Sequence, residues 1–167
     1  MWDERYSRDD YLFGTAPATF LEVHSHLLKA GQSALAVADG EGRNSVFLAE
    51  KGLEVTAMDS SRVAVDKARR LADECDVSVD CYVADILNWE WTPETYDVVL
   101  AVFIQFLSPN ERPSVFEGMK RTLKKGGLLL LHGYRPEQID YATGGPPYRE
   151  NMYTEDLLRD AFSELVV

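Results

Sequence analysis

The amino-acid sequence predicts an α/β domain, a doubly wound and mostly parallel sheet with helices on both faces. Three observations predict it. Short apolar runs alternate with segments of helical periodicity along most of the chain. Residues 96–102 read as a strand buried on both faces, as strands of a parallel sheet are. Residues 33–60 form one strand-turn-helix-strand unit: the apolar run 34–37, a turn holding Gly40 and Gly42, a helical pattern at 46–49, then Gly52 and a second apolar run ending at Asp59.

The elements follow in order. Residues 1–16 are aromatic and irregular, with Trp2, Tyr6, Tyr11 and Phe13 before Gly14. Residues 17–30 read as an amphipathic helix stopped by Gly31. Strands are expected at about 33–37, 54–58, 78–83, 96–102 and 128–131. Helices are expected at about 43–51, from Ser60 or Ser61 to about 74, and at 109–124 after the Ser108-Pro109 start. A Pro/Gly-rich insertion fills 134–149, Thr154 caps a helix at 154–162, and 165–167 reads as a last strand with no neighbour. That edge is expected to be completed by another chain, making an oligomer, or to mark a truncated piece.

At 167 residues the chain suffices for one domain with a real core. A net charge of −11 repels phosphate backbones and argues against nucleic acid as the partner. Two cysteines without a secretory signal read as free thiols, and no window is apolar enough to span a membrane. The cytoplasm is therefore the expected location.

In a doubly wound sheet, ligands bind outside the carboxyl ends of the strands. The turns there carry 39–44, Asp59-Ser60, Asp85-Ile86-Leu87 and 103–106. No phosphate-binding Gly-x-x-x-x-Gly-Lys-Ser/Thr string occurs, and Ser45 stands where a dinucleotide fingerprint needs its third glycine. Asp59 follows Gly42 by 17 residues and suits ribose hydroxyls, while Asp85 adds a second acid on the same rim. Two carboxylates favour a neutral or cationic ligand with an exocyclic amine.

These strings resemble the cofactor-binding core of the class I S-adenosylmethionine-dependent methyltransferases. Gly42-Arg43-Asn44-Ser45, Leu48-Ala49, Gly52, Val55, Ala57 and Asp59 resemble the tellurite-resistance and thiopurine methyltransferase group more narrowly. Phe13-Gly14, Tyr96-Asp97 and Lys125-Gly126-Gly127 are similar too. The resemblance implies a Rossmann-like fold lacking its last antiparallel strand, and S-adenosylmethionine as cofactor. It implies that the backbone around Gly40 and Gly42 faces the methionine end, with Asp39, Glu41, Arg43 and Asn44 in the same turn. Asp59 and Ser60 would meet the ribose, Asp85 the adenine amine between Ile86 and Leu87, and Val102 and Phe103 the sulfonium side. Residues 1–30 would form a lid, 31–133 the cofactor core and 134–167 the substrate side. Where the family carries an acid and a glycine, this chain has Ala36 and Ala38. Either the acid's role moves to Asp39 or Glu41, or the cofactor is held less tightly.

Methyl transfer needs a base only where the nucleophile must lose a proton. The acceptor-side candidates are His132, Tyr11, Gln105 and Tyr134, with Phe13, Phe106, Arg135 and Tyr148 beside them. His24 and His26 point to different faces of a helix, so no metal site is expected. The reading is a methyltransferase acting on a small molecule such as a thiol or oxyanion. The alternatives are an RNA or protein methyltransferase and a non-catalytic cofactor-binding domain.

Overall fold

In the computed structural model, which describes residues 1–142 and 145–167, five strands form one wholly parallel sheet. They are β1 (Ser33–Val37), β2 (Glu54–Asp59), β3 (Val79–Val83), β4 (Tyr96–Val102) and β5 (Leu123–His132). Their spatial order is β3-β2-β1-β4-β5, so the chain reverses its direction of winding between β3 and β4. That reversal opens a crevice at the carboxyl ends of β1 and β4, where ligands of such sheets bind.

Alternate residues of each strand face opposite ways, and in β1, β2 and β4 both sets are largely buried, whereas the edge strand β3 buries only Cys81. Ala34, Val55, Val98, Leu100 and Leu130 pack with Leu21 and Leu48 of α2 (Thr19–Val23) and α3 (Arg43–Glu50). On the same side, Ala36, Ala57 and Cys81 meet Val65 and Ala68 of α4 (Arg62–Glu74). The opposite face, with Leu35, Val37, Val99 and Ala101, is covered by Val115, Phe116 and Met119 of α5 (Arg112–Thr122). The short α6 (Gln138–Tyr141) and α7 (Glu155–Ala161) follow β5, and Phe162 just after α7 joins this second core.

Local chemistry sets the boundaries. The Ser61 hydroxyl accepts a hydrogen bond from the Ala64 amide, and the Thr154 hydroxyl accepts one from Leu157, capping α4 and α7 as the sequence predicts.

Four expectations need correction. Residues 1–16 are not wholly irregular, because Trp2–Tyr6 forms a helix, α1, with Tyr6 buried. The helix expected over 17–30 is one turn of α2, followed by a tight 3-10 turn over Ser25–Leu27. His24 and His26 therefore do not share a continuous helix; their rings lie stacked 6.4 Å apart, the Nδ1 of His24 donating to the Phe20 carbonyl and that of His26 to the Val23 carbonyl. Strand β5 starts five residues earlier than expected, running through Gly126 and Gly127 with a register shift against β4. Residues 165–167 do not form a strand, so the sheet ends at β5; Leu165 instead packs against the α5 side of the core.

Candidate functional site

The carboxyl ends of β1, β2 and β4 open on a cavity of about 280 Å³. Its floor is the turn after β1. Ala38, Gly40 and Gly42 all take the left-handed conformation, with φ of 48°, 61° and 92°. A side chain on Gly42 would put its Cβ 2.8 Å from the Ala68 Cβ, so glycine lets the turn lie against α4. Ala38 holds a positive φ without being glycine, a local strain at the base of the site.

Three acids organise this floor. Asp39 accepts from the Ser45 amide at 3.2 Å and from the Ser45 hydroxyl. Serine at the third-glycine position thus has a use: it holds the acid beneath α3. Burial pushes the Asp39 carboxyl up to about 7, against the pull of the Ser45 hydrogen bonds. Asp59 accepts from the Gly40 amide and the Ser61 amide, each at 2.9 Å, and so ties the β1 and β2 turns together. Its carboxyl is also raised by burial. Glu41 is buried with both oxygens engaged, one by the Lys67 ammonium and the other by the Leu12 amide. Of the two acids expected to replace the family's missing one, Asp39 alone is not neutralised by a cation.

The remaining walls come from further along each strand. Ser60, Asp85, Ile86, Val102 and Phe103 line the cavity as the sequence predicts, together with Arg43 and Asn44. The Asp85 carboxylate closes a turn, accepting from the Leu87 amide at 2.9 Å and the Asn88 side chain at 3.0 Å. Leu87 points away and is exposed, and Gly42 lies beneath the surface rather than on it. Asn44 is buried, its side-chain oxygen accepting from the Ala18 amide at 2.8 Å.

Of the acceptor-side candidates, Tyr134 lines the cavity, stacked on Phe103 with ring centres 4.6 Å apart. Phe13 and Phe106 line it as well. The other three stand elsewhere. His132 is packed between Phe20, at 4.6 Å and nearly parallel, and Phe103, at 5.0 Å. Burial there and the nearby His24 hold its pKa below the ordinary imidazole value. Gln105 is buried and clamps Tyr134, accepting from its amide at 2.6 Å and donating to its carbonyl at 2.7 Å. Tyr11 packs on the outer surface of α3 and α4, with the Lys67 ammonium 5.7 Å from its ring. Arg135 and Tyr148 also lie outside the lining.

Sequence reasoning expected a lid over residues 1–30 but named none of the α1 side chains as site residues. Trp2, Arg5 and Tyr6 cover the cavity, and the Tyr6 hydroxyl lies 3.0 Å from the position a Gly40 Cβ would take. Trp2 stacks on Tyr6 at 5.7 Å and meets Phe106 edge-on at 6.4 Å. The available signal was the spacing of Trp2 and Tyr6, four apart, one turn of a helix presenting two rings to one side. Gly145 and Pro146 also reach the cavity from the insertion after β5.

The sequence model of a methyltransferase domain matches residues 34–127, more than half of the chain and the part that builds this cavity floor. The chain belongs to that family. Carboxy-S-adenosyl-L-methionine synthase of Vibrio campbellii is 30% identical over 128 residues, 75% of this chain and 51% of that protein. The chain thus spans about half the length of the first such relatives. The tRNA 5-carboxymethoxyuridine methyltransferase of Escherichia coli is 25% identical over 94% of this chain and 68% of its own length. Among solved structures, a SAM-dependent methyltransferase from Aquifex aeolicus shares the fold with a TM-score of 0.75 at 20% identity, covering 97% of this chain and 86% of that one. A TehB-like SAM-dependent methyltransferase from Corynebacterium glutamicum gives 0.66 at 16%, covering 87% and 70%. This methyltransferase domain therefore has the fold of the group its sequence resembles, and S-adenosylmethionine is the cofactor of its family. Among its described residues no helix is long and apolar enough to cross a membrane.

Proposed function

We propose that the chain transfers a methyl group from S-adenosylmethionine to a small-molecule acceptor. The observation that carries this reading is Asp59, a buried carboxylate at the end of β2 facing the cavity beside a turn whose glycines bring the backbone to the ligand. Each Asp59 oxygen takes one backbone donor and keeps acceptor capacity for a ribose hydroxyl.

The residues present fit the cofactor. The amides of Arg43 and Asn44 open α3 without a backbone acceptor among the described residues, an arrangement suited to a carboxylate. Asp39 offers a negative charge to the amino and sulfonium end, and Asp85 with Ile86 offers an acceptor and an apolar surface to a purine. When bound, the cofactor supplies an electrophilic methyl carbon. The chain's own part is to hold that carbon toward Val102 and Phe103, to cover it with α1, and to keep water away.

A small acceptor is favoured by the closed aromatic wall and by the net charge of −11, which opposes a polynucleotide. The likeness to a tRNA methyltransferase over 94% of the chain supports RNA as the second reading. Calorimetry with S-adenosylmethionine and S-adenosylhomocysteine tests the cofactor, and Asp59→Asn should weaken both. No binding of either, or unchanged affinity in that variant, overturns the reading. Methyl transfer to bulk tRNA but to no small molecule would favour the second.

A further inference from the structure

Arg43 lies half-buried on the cavity wall at the first turn of α3. Among the described residues its guanidinium has no hydrogen bond and no ion pair, and it lies 5.9 Å from the centre of the Phe13 ring. Its neighbours in the field are Asp39, Tyr134 and Tyr6, and burial outweighs them, pulling its pKa down. A cation partly removed from water without a hydrogen-bonded ion-pair partner is costly, and an arriving anion relieves that cost. The planar fork of arginine matches a carboxylate with two parallel hydrogen bonds.

The cofactor's own carboxylate does not require this side chain, because the open amides of Arg43 and Asn44 already face the methionine end. The guanidinium lies 5.9 Å from the Phe13 ring, and it feels the charge of Asp39 first and then of Tyr134 and Tyr6, so it stands where the floor of the cavity meets its aromatic wall. That wall is made of flat surfaces: the Phe13 ring, the Phe103–Tyr134 stack and Phe106 against Trp2. Flat apolar walls with one fixed charge accommodate a planar ring bearing an acid.

We propose that the methyl acceptor is a small planar aromatic acid, its carboxylate on Arg43 and its ring against Phe13 and the Phe103–Tyr134 pair. The proposal rests on the methyltransferase reading above. In the transfer, a lone pair on the acceptor's nucleophilic atom forms the new bond to the methyl carbon. The carbon–sulfur bond breaks with its electron pair kept by sulfur, and any proton on the nucleophile passes to water.

The test uses the full chain saturated with S-adenosylhomocysteine and titrated with benzoate, benzamide and acetate. Benzoate should bind at least about tenfold more tightly than the uncharged amide or the ringless acid. Arg43→Gln should bring benzoate to within about twofold of benzamide, and Arg43→Lys should restore part of the difference. No benzoate preference in the unaltered chain overturns the proposal, as does a preference that survives Arg43→Gln. The pattern of weakened S-adenosylhomocysteine with an intact benzoate preference would assign the guanidinium to the cofactor instead and also overturn it. If S-adenosylhomocysteine does not bind the unaltered chain, the methyltransferase reading falls first and this one with it.

Discussion

Lys67 and Glu41 form a 2.7 Å ion pair with both side chains almost wholly removed from water, at 6% and 4% exposure. The pair joins α4 to the turn after β1, and it holds the N-terminal segment: Lys67 also donates to the Asp10 carbonyl, and Glu41 accepts from the Leu12 amide. Removing one partner strands a charge in the core. Lys67→Met should lower the unfolding free energy by about 3–5 kcal/mol, whereas Lys67→Met with Glu41→Gln should recover much of the loss. Urea unfolding of the three proteins checks this, and a single variant as stable as the parent would contradict it.

Gly42 answers to two constraints at once, a φ of 92° and an Ala68 methyl in the place its own Cβ would occupy. The left-handed conformation costs a side-chain residue about 1–2 kcal/mol, and the overpacking adds about 1–3 kcal/mol. Gly42→Ala should therefore be strongly destabilising, and Ala68→Gly in the same chain should recover only a minor part, because the Ala68 Cα at 2.9 Å stays in the way and the conformational cost is untouched. Thermal unfolding of both variants checks this, and full recovery in the double variant would contradict it.

The alternation of strands with helices and the turns of the rim were legible in the sequence because periodicity and the Gly40–Asp59 spacing are local signals. What stayed hidden was set by contacts distant in the chain. Gln105 stands in a rim loop and reads as a site residue, yet the groups it serves are the Tyr134 backbone atoms 29 positions on. Glu41 sits in the glycine turn and reads as a ligand acid, and its neutralising partner Lys67 lies 26 residues away. The helix α1 is too short to announce itself by periodicity; it is held by Tyr6 over Gly40 and by Asp3 on Ser61. Strand β5 begins early because Leu123 already pairs with Tyr96, an extension that its glycines conceal.

Asp39 makes stability and ligand binding respond to pH in opposite directions. Its carboxyl lies at about 7 in the folded chain, above the ordinary value of 3.8. Between those values the folded state holds a proton that the unfolded state has released, so this residue's contribution to stability is complete below about 4 and is lost as pH rises through about 7. Asp39→Asn should remove that slope, which the difference between parent and variant in unfolding free energy at pH 5 and pH 8 will show. A cationic ligand prefers the charged form, so S-adenosylmethionine should bind the parent more tightly at pH 8 than at pH 6, and the variant without that preference. A parent and variant with parallel stability profiles would contradict the assignment.

Asp3 fastens α1 across the cavity mouth. One of its oxygens accepts from the Ser61 hydroxyl at 2.5 Å and the Val63 amide at 3.4 Å, at the start of α4 and next to Asp59-Ser60. The Ser61 bond, with Val63 behind it, holds the Asp3 carboxyl below its ordinary value. Because Asp3 itself is exposed and water can replace it at the Ser61 hydroxyl, its loss should disturb the fold little, and its effect should fall on the opening of the mouth. Asp3→Ala is expected to leave the thermal midpoint nearly unchanged while S-adenosylhomocysteine escapes faster, read by stopped-flow fluorescence of Trp2 against Tyr6 and Phe106. Ser61→Ala removes the same bond and also the α4 cap, so it should raise the escape rate and lower the thermal midpoint as well. Equal escape rates in the parent and Asp3→Ala would mean that α1 does not control access to the site.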